Sequence, residues 1–117
     1  MGEVVIWHNP RCSKSRETLA LLKQHGIEPR IVDYLATPPA ARERDLDRIA
    51  GLIGDARKLV RSNEREYAEL GLRDRTLSRK ALLAALAAHP RLIQRPIVLA
   101  NGKAALGRPP EAVLAIL

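Results

Sequence analysis

The stretch Val4-Val5-Ile6-Trp7-His8-Asn9-Pro10-Arg11-Cys12-Ser13-Lys14-Ser15-Arg16 decides how this chain folds. Its first four residues form a short apolar run suited to a buried strand, and His8-Asn9-Pro10 breaks that run. From Ser13 onward, Leu19 and Leu22, with the flanking Ala20 and Leu21, follow helical spacing, and Ser13 or Asn9 is the candidate cap. Lys23 and His25 fall in the last turn, and Gly26 ends the helix. Pro29 to Tyr34 reads as a second strand. Strand, helix and strand within about 30 residues predict a parallel βαβ unit.

Thr37-Pro38-Pro39 is a loop whose second proline suits the first turn of a helix. Leu46, Ile49 and Ile53 carry helical spacing through residues 40–53, and Gly54 interrupts it. Residues 55–61 and 64–70 read as short helices, the second ended by Gly71. Ser78 caps a further helix through His89, which Pro90 stops. Pro96-Ile97-Val98-Leu99-Ala100 reads as a strand, and Asn101-Gly102 between two apolar runs is a strong hairpin signal. Lys103 to Leu106 is the return strand, and Pro109-Pro110 opens a last helix, Glu111 to Leu117.

The expected class is α/β, in the thioredoxin-like order: a βαβ unit, a helical insertion, then a C-terminal β-hairpin and helix. No repeat, low-complexity stretch or linker divides the chain, so a single domain is expected over 1–117, with the insertion at roughly 38–90. In such a sheet the proline that opens the third strand faces the start of the first helix. Pro96 is therefore a candidate cis-proline near the site.

Composition narrows the function classes. Hydrophobic residues make up 46% of the 117, enough for a packed core despite a charged fraction of 28%. Phe is absent, so that core is built from Leu, Ile, Val and Ala. No apolar run approaches the roughly 18–20 residues that span a bilayer, and the start lacks the pattern of a secretory signal. A cytoplasmic protein without a membrane partner is expected. The net charge of +7 is spread over segments that also carry Glu and Asp, as in Ala41-Arg42-Glu43-Arg44-Asp45, which describes a solvated helix face. No basic stripe interleaved with aromatics marks a nucleic-acid surface. The charge does leave room for a small anionic substrate.

Cys12 is the one cysteine. Alone it forms no internal disulfide and cannot supply the thiolates of a zinc site, so no metal is expected. A lone cysteine is ordinarily a buried structural residue, but position argues otherwise here. Cys12 falls where the first strand meets the first helix, and a helix N-terminus presents unpaired N–H groups and partial positive charge to a thiolate. Arg11, Lys14 and Arg16 add cations, and His8 is placed to approach from the strand end. In Cys12-Ser13-Lys14-Ser15, Ser15 stands where a dithiol enzyme carries its second cysteine; it can donate a hydrogen bond to the thiolate but cannot resolve a disulfide. The same helix end suits a tetrahedral oxyanion.

His8-Asn9-Pro10-Arg11-Cys12-Ser13-Lys14-Ser15-Arg16 resembles the H-N-P-x-C-x-x-S-R signature of glutaredoxin-dependent arsenate reductases. The resemblance continues through Glu28-Pro29, Tyr34-Leu35, Thr37-Pro38-Pro39, Tyr67 to Leu72, His89-Pro90, Arg95-Pro96-Ile97-Val98 and Gly107-Arg108-Pro109. It covers nearly the whole chain and is closest to the shorter, chromosomal branch of that family. It implies that Cys12 attacks arsenate, that glutathione is the co-substrate rather than a bound cofactor, and that glutaredoxin removes the mixed disulfide. It assigns the oxyanion to Arg61, Arg95 and Arg108, and the ionisation of the thiol to His8. Guanidinium groups suit an oxyanion because they stay charged and offer forked donors.

Two other activities share these features. One is a glutathione-dependent thiol–disulfide oxidoreductase not specific for arsenate. A disulfide substrate, however, has no oxyanion for three arginines to neutralise. The other is a redox-responsive transcription regulator, but such regulators commonly switch through CxxC, and Ser15 removes the second thiol.

Overall fold

The computed structural model describes residues 2–117. Two compact units form: Thr37–Gln94, and the flanking chain through Ala36 and from Arg95 onward.

The flanking unit holds the sheet. Its elements are β1 (Val5–Trp7), α1 (Ser13–Gln24), β2 (Arg30–Val32), β3 (Ile97–Ala100), β4 (Lys103–Leu106) and a closing 3-10 run, Pro110–Ile116. The strand order is β2-β1-β3-β4, with β1 parallel to β2 and antiparallel to β3, and β3 antiparallel to β4. This is the expected thioredoxin-like α/β arrangement. Alternation along the strands sends Val4, Ile6, Val98 and Ala100 into one core with Leu22 and Val113, against which Leu19, Ile27, Ala105 and Ile116 pack. Asn101 and Gly102 both have positive φ, 54° and 72°, as a two-residue turn matched to the strand twist requires.

The helical unit holds α2 (Pro39–Ile53), α3 (Arg65–Glu69) and α4 (Arg79–Ala88). It contains the segment expected as an insertion. Pro39 occupies the first helical position of α2 and Gly54, left-handed, ends it. Ser78 Oγ accepts from Ala81 N at 3.0 Å and so caps α4. Leu46, Ile49 and Ala50 of α2 are buried, as are Leu82, Leu83 and Leu86 of α4, on which α2 packs. Arg42 is buried too, and its guanidinium is satisfied by the carbonyls of Ala87 and Thr37.

Four expectations are corrected. β2 stops at Val32, two residues before Tyr34, because Asp33 begins a turn: its carboxylate accepts from Leu35 N at 3.1 Å and its carbonyl from Ala36 N at 3.1 Å. The N-cap of α1 is Cys12 itself, without a side-chain bond, rather than Ser13 or Asn9. The segment expected as a helix over 55–61 is a 3-10 run, Ala56–Leu59, capped by Asp55, which accepts from Arg57 N at 2.9 Å. The closing helix is also of the tighter 3-10 type and begins at Pro110.

Gly107 follows β4, and its N–H donates to the Pro96 carbonyl at 3.0 Å. A Cβ there would lie 2.5 Å from Thr18 Oγ1 and 2.6 Å from Pro96 Cγ. Gly107→Ala is expected to lower stability by about 1–3 kcal/mol through this overlap, read as a lower denaturation midpoint; an unchanged midpoint would refute the close approach.

Candidate active site

Sheet register builds the site. Trp7 pairs with Ile97, and Ile97 with Leu106, so the end of β1, the start of β3 and the end of β4 share one edge. The chain leaving β1 carries Cys12, the chain entering β3 carries Arg95, and the chain leaving β4 carries Arg108. Residues far apart in sequence therefore meet around one sulfur.

The loop between β1 and α1 is tied by its own backbone. His8 N donates to Val32 O at 3.1 Å, Cys12 N to Asn9 O at 3.0 Å, and Arg11 N to Asn9 Oδ1 at 3.0 Å. Arg16 reaches back to the Pro10 carbonyl at 2.8 Å. Cys12, partly exposed and free of disulfide, is thereby held at the start of α1.

Burial is the largest single influence on the Cys12 thiol and opposes its ionisation. It is outweighed by the N–H of Ser15, by the hydrogen bond and charge of Arg95, and by the N–H of Lys14. The net result is a thiol that ionises below its ordinary range, and thus a larger thiolate fraction at neutral pH. Arg108 adds Nη2 at 3.9 Å from Sγ, while its Nε donates to the Arg95 carbonyl at 2.9 Å. The two arginines are thus linked to each other as well as to the sulfur.

His8 and Ser15 form a buried pair behind this site. His8 Nδ1 lies 2.7 Å from Ser15 Oγ, which accepts from Asn9 N at 2.9 Å. Burial, followed by the charge of Arg16, lowers the His8 pKa from its ordinary value, which favours the neutral ring. A neutral ring is satisfied when the Ser15 hydroxyl donates to Nδ1. The expectation that this hydroxyl serves the sulfur is therefore corrected: it is committed to His8 and Asn9, and the Ser15 main-chain N–H faces Sγ instead.

The Arg95–Pro96 peptide bond is cis, and so is Arg108–Pro109, for which the sequence offered no expectation. Arg61 belongs to the helical unit. There its N–H donates to Leu92 O at 2.7 Å and its guanidinium pairs with Glu64 at 3.3 Å.

One site residue escaped sequence reasoning. Tyr34, read as the end of a strand, is wholly buried and stacks on Trp7 with ring centroids 5.6 Å apart and planes 9° off parallel. Its hydroxyl faces the Asn9 side chain and the Arg95 guanidinium. Burial pushes the phenol above its ordinary value, and Arg95 and Asn9 work against that rise. The signal available was its scarcity: the chain has two tyrosines.

Among the described residues, no group of three His, Cys, Asp or Glu is placed to hold a metal, and no helix is long and apolar enough to cross a membrane.

Comparison with known proteins agrees with this geometry. Residues 7–116 match the family model of the ArsC family. The chain is 57% identical to the uncharacterized protein YfgD of Escherichia coli K12, over 98% of this chain and 97% of that protein. It is 52% identical to an arsenate reductase of Neisseria meningitidis, with both chains covered in full. The solved structure of an arsenate reductase from Vibrio cholerae superposes with a TM-score of 0.92 at 53% identity, covering 98% of each chain. An ArsC match across nearly the whole chain, relatives above half identity, and a free cysteine at the expected strand-to-helix junction agree: the chain belongs to the ArsC family.

Proposed function

We propose that the protein is an arsenate reductase in which Cys12 is the nucleophile and glutathione and glutaredoxin complete the turnover. The observation that carries this reading is the convergence of Arg95 and Arg108 on the Cys12 sulfur at the start of α1. A thiolate, two guanidiniums and a helix N-terminus together suit a tetrahedral oxyanion facing a nucleophile.

In the first step the Cys12 thiolate attacks arsenic, an S–As bond forms, and one arsenate oxygen leaves as water after taking up protons. Glutathione thiolate then attacks the Cys12 sulfur. The S–As bond breaks, its electron pair stays with arsenic, and arsenite departs from a Cys12–glutathione mixed disulfide. Each sulfur has supplied one of the two electrons that reduce arsenic. A glutaredoxin thiol removes the glutathionyl group and restores Cys12. An external thiol is required because the chain has one cysteine. A nucleophile that must begin each cycle reduced belongs in a reducing compartment, which is the reading for the cytoplasm.

In this scheme His8 and Ser15 orient the strand-to-helix loop beneath the sulfur, Pro96 shapes the edge opposite it, and Arg61 contributes to the oxyanion through the family resemblance. The test is oxidation of NADPH coupled through glutathione reductase, glutathione and glutaredoxin. We expect oxidation that depends on arsenate and stops when glutaredoxin is left out. Turnover of a glutathione mixed disulfide without any turnover of arsenate would establish the thiol–disulfide oxidoreductase reading instead.

A further inference from the structure

We propose that Thr18 of α1 is a positioning residue that holds the Arg108 guanidinium at the Cys12 sulfur by fixing the backbone at Gly107. Three observations carry this. Thr18 is wholly buried, and its hydroxyl turns back on its own helix to donate to the Lys14 carbonyl at 2.8 Å. Thr18 Oγ1 and Pro96 Cγ fill the space beside Gly107, lying 2.5 and 2.6 Å from where a Cβ would stand. Gly107 directly precedes Arg108, whose Nη2 lies 3.9 Å from Sγ.

Thr18 is a costly residue for a helix interior, because a hydroxyl bonded to the carbonyl four residues back slightly destabilises the helix. The same bond selects one rotamer of a stiff, β-branched side chain, so Oγ1 presents a fixed surface to Gly107. Two cross-links extend that fixed point to the arginine. Gly107 N donates to the Pro96 carbonyl at 3.0 Å, and Arg108 Nε to the Arg95 carbonyl at 2.9 Å. A separation of 3.9 Å is already long for a hydrogen bond to sulfur, so a small outward shift of the Arg108 backbone ends it. The guanidiniums facing the sulfur are those of Arg95 and Arg108; Thr18 meets this pair through Gly107.

Thr18→Val replaces the hydroxyl with a wider methyl, which loses the bond to Lys14 and crowds Gly107, whereas Thr18→Ser keeps the hydroxyl. The test follows Cys12 alkylation by iodoacetamide against pH, together with arsenate kinetics, in the wild-type and Arg108→Ala backgrounds. For Thr18→Val in the wild-type background we expect the alkylation midpoint to move to higher pH, with the rate at pH 7 falling about two- to fivefold, and arsenate KM to rise more than kcat falls. Thr18→Ser is expected to alkylate as the wild type does. In the Arg108→Ala background Thr18→Val is expected to change the alkylation profile no further. An unshifted profile in a folded Thr18→Val protein overturns the proposal, as does an equal shift with and without Arg108 or an equal shift in Thr18→Ser. Should Thr18→Val not fold, the Thr18 methyl resonance decides: it must move as Cys12 titrates in the wild type and lose that response in Arg108→Ala. A flat response in the wild type, or one that survives the loss of Arg108, overturns the proposal. Only the KM measurement rests on the arsenate reading. A protein that turns over no arsenate yet shows the Arg108-dependent alkylation shift refutes that reading and retains this one, and the reverse result refutes this one.

Discussion

Replacing Cys12 with Ser is expected to abolish arsenate-dependent NADPH oxidation, a loss on the order of 10⁴-fold or more, as for removal of other catalytic nucleophiles. The environment of Cys12 works by ionising it: the N–H groups of Ser15 and Lys14 and the Arg95 guanidinium stabilise negative charge on sulfur. A serine hydroxyl is far too weak an acid for the same surroundings to ionise it at neutral pH, and its oxygen cannot share the two-electron reduction by forming a disulfide. The sign of the pH dependence follows from the same contacts. Lowering the pKa of an acid raises its anionic fraction at a given pH, so wild-type alkylation must reach half its plateau below the value of a free thiol. A midpoint at or above that value would show that burial, which opposes ionisation, has won. Retained arsenate turnover in Cys12→Ser would end the case for Cys12 as the nucleophile.

Arg95→Ala is expected to produce the second-largest loss, about 10²- to 10³-fold in kcat/KM for arsenate, the range for removing one preorganised donor at developing charge. Arg95 acts twice, as hydrogen-bond donor and as charge at the sulfur. Its loss must therefore also shift the alkylation midpoint to higher pH, which separates a site effect from general damage. Arg108→Ala should follow in the same direction with a smaller effect on the thiol, because its nearest nitrogen lies 3.9 Å from Sγ and its other link is to the Arg95 carbonyl. Loss of arsenate turnover in Arg95→Ala without any change in thiol ionisation would confine Arg95 to the oxyanion. Wild-type behaviour on both measures would remove it from the site.

Legibility in the sequence followed the range of the physics involved. The apolar run before His8, the helical spacing of Leu19 and Leu22, the Ser78 cap and the Asn101-Gly102 turn act over a few residues, and each was readable from its neighbours. The errors were local as well. The end of β2 turned on Asp33 bonding to its own backbone, which the pattern of apolar residues does not encode. The closing run after Pro109 has helical spacing, yet seven residues do not distinguish an α-helix from the tighter 3-10 form.

The sequence by itself determined that Cys12 begins a helix after a buried strand and that no second cysteine exists to resolve it. It also placed arginines just before the prolines that flank the C-terminal hairpin. Only the tertiary structure decided what those residues do to one another. Arg108 comes within 3.9 Å of a sulfur 96 positions earlier because Trp7, Ile97 and Leu106 lie in register across three strands. The Ser15 hydroxyl turns to His8 while its N–H serves the sulfur, and Tyr34, beyond the end of its strand, stacks on Trp7. Helix position alone makes Cys12 a candidate thiolate; sheet register, a long-range property with no local signature, supplies the cations that stabilise it.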